Sequence, residues 1–142
     1  MEIVCLDLEG VLVPEIWIAF AEETGIPELK RTTRDEPDYD KLMKYRIGIL
    51  KEHGLGLKEI QETIEKIDPL PGAKEFLDQL RSLTQVIIVS DTFSQFAGPL
   101  MKKLGYPTIF CNSLVVAPDG EITDFKMRCE KSKYTTVKAL QS

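Results

Sequence analysis

Histidine is nearly absent from this chain of 142 residues, with His53 alone present. Cysteine is sparse too: Cys5, Cys111 and Cys129 are widely spaced, and none forms a C-x-x-C pair. These scarcities weigh against a Cys/His zinc centre. They read instead as three buried thiols of a reducing cytosol. No stretch approaches the roughly 20 apolar residues of a membrane span. The start has no basic region followed by a long apolar one, so no secretory signal is expected and a cytoplasmic location is. Positive charge is not in excess: the net charge is −5 at pH 7. That argues against non-specific nucleic-acid binding and against a basic membrane-surface role. A small anionic substrate stays compatible, because a pocket can be locally positive. Internal repeats and low-complexity tracts are missing as well.

What is present is ordinary for a soluble globular protein, with 43% hydrophobic and 29% charged residues. The length suits one domain, or one core with a small insertion. The chain begins with an apolar run, Ile3 to Leu6, then Asp7-Leu8-Glu9-Gly10-Val11-Leu12-Val13. A short apolar run closed by a glycine turn predicts a buried strand of a parallel sheet. Ligands of open α/β sheets bind beyond the carboxyl ends of strands, where Asp7 and Glu9 stand.

From Pro14 to Pro69 the pattern is helical. One helix is expected from about Ile16, ending at Gly25. A polar connector, 26–37, leads to a second helix capped by Asp38 or Asp40 and closing at His53-Gly54. A third spans about Leu57 to Ile67. The cluster Asp68-Pro69-Leu70-Pro71-Gly72 breaks the run. Next come a helix over 73–83 carrying Phe76, Leu77 and Leu80, a strand over 85–90, and a helix over 95–104. A short strand, 108–111, precedes a hairpin (114–116 and 122–127) around Asp119-Gly120. A last helix opens near Lys131. The expected architecture is therefore α/β: a parallel-sheet core from 1–13 and 70–142, with 14–69 as a small helical cap over the strand ends.

Two strand ends then aim polar groups at one place: Asp7 and Glu9 from the first, Ser90, Asp91 and Thr92 from the second. Lys131 or Lys133 can join them from the last helix. Such a set suits phosphoryl transfer. A carboxylate can act as nucleophile, and a second can protonate the leaving oxygen and then activate water. Hydroxyl, backbone N–H and ammonium groups can stabilise the transferred charge. A receiver-type signalling domain also combines acids, Ser/Thr and Lys. Its acids are typically adjacent, however, and it has no helical cap.

These residues resemble the haloacid dehalogenase superfamily. Asp7 to Leu12 is similar to its first motif, Val86 to Thr92 to its second, and Lys133 to its third; the insertion resembles a type C1 cap. The likeness is greatest to the phosphoserine phosphatase branch, in particular to bifunctional phosphoserine phosphatase/homoserine phosphotransferases. There Asp-Leu-Glu-Gly replaces Asp-x-Asp, and Ser-Asp-Thr replaces Ser-Gly-Gly. The resemblance implies a Rossmann-like core and an aspartyl-phosphate mechanism, with Asp7 as nucleophile and Glu9 as general acid/base. It implies that Ser90, Asp91 and Lys133 hold the phosphoryl group, and that Glu15 and Arg46 grip the amino and carboxylate groups of phosphoserine. It implies Mg²⁺ on Asp7 and the backbone carbonyl of Glu9, with homoserine as a possible acceptor. Without the resemblance, Arg46 reads as a solvated helix face beside Asp38 and Glu52. The family's fourth motif, an acidic pair on a further strand, has no counterpart in 1–142. Weak Mg²⁺ binding, low turnover and a homodimer paired through an open sheet edge are expected, and a non-catalytic phospho-metabolite binder is the alternative.

Overall fold

A computed structural model describes residues 2–129 and 131–141. Among them one sheet has four strands in the order β1 (Ile3–Leu6), β2 (Gln85–Phe93), β3 (Thr108–Val116) and β4 (Ile122–Lys126). β1, β2 and the first half of β3 run parallel, and β4 is antiparallel to the second half of β3. The helices are α1 (Ile16–Thr24), α2 (Tyr39–Glu52), α3 (Leu57–Glu65), α4 (Ala73–Leu83), α5 (Ser94–Lys103) and α6 (Ser132–Gln141). The α/β core with a helical segment between β1 and β2 is as the residue pattern predicts.

The strands depart from expectation in three ways. β1 is not a buried strand: Ile3 is exposed and Val4, Cys5 and Leu6 are half-buried. It pairs with β2 along one side only among the described residues, and a parallel strand is fully enclosed only between neighbours. β2 does not stop at Ser90 but runs on to Phe93, through a register shift between Val89 and Phe93. β3 is one continuous strand rather than a short strand followed by a separate hairpin arm. The polar pair Asn112-Ser113 suggests a break, but the Asn112 amide is satisfied inside. Its Nδ2 donates to the Asp91 carbonyl at 3.3 Å, and its Oδ1 accepts from the Arg128 N–H at 2.9 Å. Nor are the cysteines buried; all three are half-exposed.

The helical segment packs into the same apolar core as the sheet. Ile16, Trp17 and Phe20 of α1, Leu50 of α2, and Ile60 and Ile64 of α3 join Leu8, Ile88 and Leu100 in one cluster. Trp17 meets Phe96 edge-on at 5.8 Å, and Phe96 meets Phe93 at 5.5 Å, the geometry aromatic pairs prefer. The expected polar connector contains a 3₁₀ turn, Pro27–Lys30, that buries Leu29. Asp38 caps α2, its Oδ1 accepting from the Lys41 N–H at 3.2 Å. At the start of α3 the Gly56 backbone lies against the β3–β4 turn. A Cβ there would stand 2.6 Å from the Gly120 carbonyl oxygen, to which the Leu57 N–H also donates at 2.9 Å. In α4 the buried face is Ala73 and Leu77. Phe76 lies off it and is 51% exposed, since adjacent helical residues point about 100° apart.

Candidate functional site

Beyond β1 the chain turns sharply around one carbonyl. Leu8 is fully buried, and its oxygen accepts the N–H groups of Leu12 at 2.8 Å and Val13 at 3.1 Å. Gly10 takes a positive φ of 81°, open to glycine at no steric cost, and donates to the Val13 carbonyl at 2.7 Å. With Leu8 anchored inward, Asp7 and Glu9 on either side of it both line one cleft.

Both oxygens of Asp7 are held. Oδ1 accepts from the Leu8 N–H at 2.8 Å, and Oδ2 accepts from Lys133 Nζ of α6 at 3.0 Å. Lys133, rather than Lys131, lines the cleft. Glu9 reaches in the other direction, its Oε1 accepting from the Ile16 N–H at 2.8 Å, the positive end of α1. Burial nevertheless pushes the Glu9 carboxyl above its usual range. The Ile16 N–H and Arg46 oppose that rise, and Asp7 and Glu15 add to it. A carboxyl so placed keeps its proton to higher pH than a free one, as a general acid requires.

The extended end of β2 supplies Ser90, Asp91 and Thr92. The Thr92 N–H donates to Ser90 Oγ at 3.1 Å. That uses an acceptor position of the hydroxyl and leaves its proton to donate elsewhere. The Asp91 carbonyl accepts from the Tyr39 hydroxyl at 2.9 Å as well as from Asn112. Burial raises the Tyr39 hydroxyl well above the ordinary phenol value.

The helical segment closes the other end. Arg46 is only 5% exposed, which sets aside the solvated-face reading. It donates to the Arg31 carbonyl at 2.9 Å, and its guanidinium lies 4.8 Å from the centre of the Trp17 ring. Burial lowers its pKa, while Tyr39, Glu9 and Glu15 nearby counter the shift. Its Nε is buried with no partner. Glu15, before α1, pairs with Arg34 at 3.5 Å across exposed side chains.

Every candidate residue thus faces one cleft of about 170 Å³. Drug-sized ligands need roughly 300 Å³ or more, so this one suits a small polar molecule. Cations and carboxylates at both ends suit a zwitterion carrying an oxyanion. The cleft also contains Trp17, Tyr39, Thr32 and Thr33, which the residue pattern does not single out. Trp17 reads as an ordinary core position of α1, and Tyr39 as a helix start. No local spacing marks either, because their role depends on the tertiary meeting of α1, α2 and β2. Among the described residues no group of three or more His, Cys, Asp or Glu is arranged to hold a metal ion, and no helix is long and apolar enough to cross a membrane.

No protein-family model matches the chain. It is 56% identical over its full length to the phosphoserine phosphatase ThrH of Pseudomonas aeruginosa, of which it spans 69%. It is 54% identical, again over its full length, to a phosphoserine phosphatase of Pseudomonas syringae pv. tomato, of which it spans 60%. A solved phosphoserine phosphatase bearing a phospho-aspartyl intermediate analogue superposes with a TM-score of 0.79. That likeness covers 98% of this chain and 70% of the other at 24% identity, and it establishes the fold. A haloacid dehalogenase-family hydrolase from Salmonella enterica serovar Typhi superposes with a TM-score of 0.75 at 19% identity, over 97% of this chain and 50% of that one.

Proposed function

The chain belongs to the ThrH-type phosphoserine phosphatases, and from that premise we propose that it acts as a haloacid dehalogenase-type enzyme, transferring the phosphoryl group of phosphoserine through an aspartyl-phosphate at Asp7. The carrying observation is the convergence of every candidate residue on one cleft, with Lys133 3.0 Å from Asp7.

In the first step an Asp7 carboxylate oxygen attacks phosphorus, and the bond to the serine oxygen breaks. Glu9 gives its proton to that leaving oxygen, for which a raised pKa prepares it. In the second step Glu9 takes a proton from the attacking water. The phosphorus–Asp7 bond breaks, and phosphate leaves. The Ser90 hydroxyl, the Asp91 segment and the Lys133 ammonium hold the phosphoryl oxygens throughout. Arg46 takes the substrate carboxylate, its unpartnered Nε facing a group that can satisfy it. Glu15 takes the ammonium, exchanging the exposed Arg34 for it. In this reading residues 14–69 act as a cap that excludes water and selects the substrate.

The donors near Asp7 are oxygens without His or Cys, a set that suits Mg²⁺. Asp7 and the Glu9 carbonyl would hold it, and it would neutralise charge on the transferring group. Half-exposed thiols at Cys5 and Cys111 suit a reducing, cytoplasmic setting.

Homoserine can replace water as acceptor. Glu9 is one methylene longer than Asp and uses that reach to dock on α1, which positions its carboxylate to take the proton of an attacking alcohol. Glu9→Asp is expected to change the ratio of phosphate to phosphohomoserine; an unchanged ratio contradicts this. The main test is phosphate release from phosphoserine with Mg²⁺ by the wild-type chain and by Asp7→Asn. Release by the first alone supports the proposal. Phosphoserine binding without release by either supports a non-catalytic binder.

A further inference from the structure

Among the described residues, three side-chain polar atoms are buried without any hydrogen-bond partner: Arg46 Nε, Thr92 Oγ1 and Thr136 Oγ1. Two of these residues, Arg46 and Thr92, line the cleft. A buried hydroxyl left unsatisfied costs more than a methyl group in its place. Thr92 is 3% exposed, so solvent does not compensate it. It follows Ser90 by two positions at the irregular end of β2, and both residues line the cleft. The Thr92 N–H on Ser90 Oγ, at 3.1 Å, ties the two positions together. Ser90 thereby keeps its proton for a ligand, while the buried Thr92 hydroxyl has no hydrogen-bond partner among the described residues.

We infer that the Thr92 side-chain hydroxyl is a further ligand of the phosphoryl group, donating to an oxyanion oxygen beside Ser90. This rests on the reading of the cleft as a phosphoryl site. It also adds a side-chain donor where the Ser-Gly-Gly form of the motif carries none. The Oγ1 atom is closed off from solvent, so this role requires the side chain to turn toward the cleft. A step about χ1 to the next staggered position exchanges the oxygen with the methyl group, and the volume of the side chain is unchanged. Turned so, the hydroxyl exchanges a buried, unpartnered position for a hydrogen bond to the anion.

Two readouts of opposite sign test this. Thr92→Val keeps the shape and removes the hydroxyl. The melting temperature of the ligand-free chain is expected to rise, while affinity for inorganic phosphate, measured by titration calorimetry, falls about tenfold or more, the usual worth of a hydrogen bond to a charged group. Thr92→Ser restores the donor and is expected to bind within about threefold of wild type, since the lost methyl makes no polar contact. Thr92→Ala repeats the binding test should valine disturb the strand. Ser90→Ala separates this inference from the functional reading. If it weakens phosphate binding and Thr92→Val does not, the Thr92 inference is overturned and the phosphoryl site stands. If Thr92→Ser loses affinity as fully as Thr92→Val, the role is structural and the inference is overturned. A wild-type chain that binds no phosphate, or that binds it equally well without the Ser90 hydroxyl, overturns the functional reading and the inference with it.

Discussion

At one end of the cleft Asp7 directly follows β1 and Ser90 stands on its parallel neighbour β2; at the other, Arg46 and Glu15 stand on or beside helices placed by side-chain packing. The strand end is fixed mainly by backbone. β1 and β2 are registered residue by residue, Leu8 pins the turn, and the Leu8 N–H holds Asp7. The helix end is fixed by burial. Arg46 is enclosed by the Trp17 ring and the Arg31 carbonyl, so its position depends on side chains and backbone from α1 and the connector meeting α2. A backbone-built end supports chemistry that needs atoms held to fractions of an ångström. A packing-built end can be altered to suit another substrate without disturbing the sheet. The difference teaches where to cut: changes at the strand end should abolish turnover, and changes at the helix end should alter substrate affinity.

The largest effect is expected at Asp7. Asp7→Asn should lower phosphate release from phosphoserine by about a thousandfold or more, as removal of a nucleophile does, with the melting curve little changed. At the helix end, Arg46→Lys keeps the charge and loses the planar fork. The KM for phosphoserine should rise roughly tenfold to a hundredfold, with kcat affected much less, in steady-state assays. An equal loss in kcat and kcat/KM would erase the distinction between the two ends. Away from both, Gly56→Ala should destabilise the chain by roughly 1–3 kcal/mol in urea unfolding, because the added Cβ meets backbone rather than a flexible side chain.

A smaller effect has a definite pH sign. Burial raises the folded pKa of Glu9, so the folded state prefers the neutral form, and the charged form costs stability as pH rises through that value. Glu9→Gln should therefore unfold at a higher temperature than wild type at pH 7 to 8. Its advantage should shrink as pH falls toward the ordinary carboxylate range and vanish below it, although activity is lost throughout. The least effect is expected at Arg34. Its ion pair with Glu15 is long and exposed, and such pairs contribute little, so Arg34→Ala should change the KM for phosphoserine by no more than about threefold.

The strand end was legible in the residues because its signals are local. An apolar run, Asp-x-Glu and a glycine turn predict a strand end, and Val86 to Thr92 predicts its neighbour. The helix end was legible only by resemblance, since Arg46 read alone as a surface charge and the fold encloses it. Tyr39 and Trp17 were missed because nothing near them in sequence marks a cleft. The extension of β2 to Phe93 and the continuity of β3 were missed for the same reason. Both depend on Asn112, whose buried amide joins the Asp91 carbonyl to the Arg128 N–H across strands. The half-exposed β1 was misread because an apolar run reports composition and not whether a neighbour lies on each side.

The central claim is that Asp7 accepts the phosphoryl group, and intact-protein and peptide mass analysis of an acid-quenched reaction with phosphoserine and Mg²⁺ tests it most directly. The expected result is the added mass of one phosphoryl group on the peptide that contains Asp7, labile to base and absent from Asp7→Asn. Phosphate release without that adduct, or an adduct that persists in Asp7→Asn, would contradict the claim.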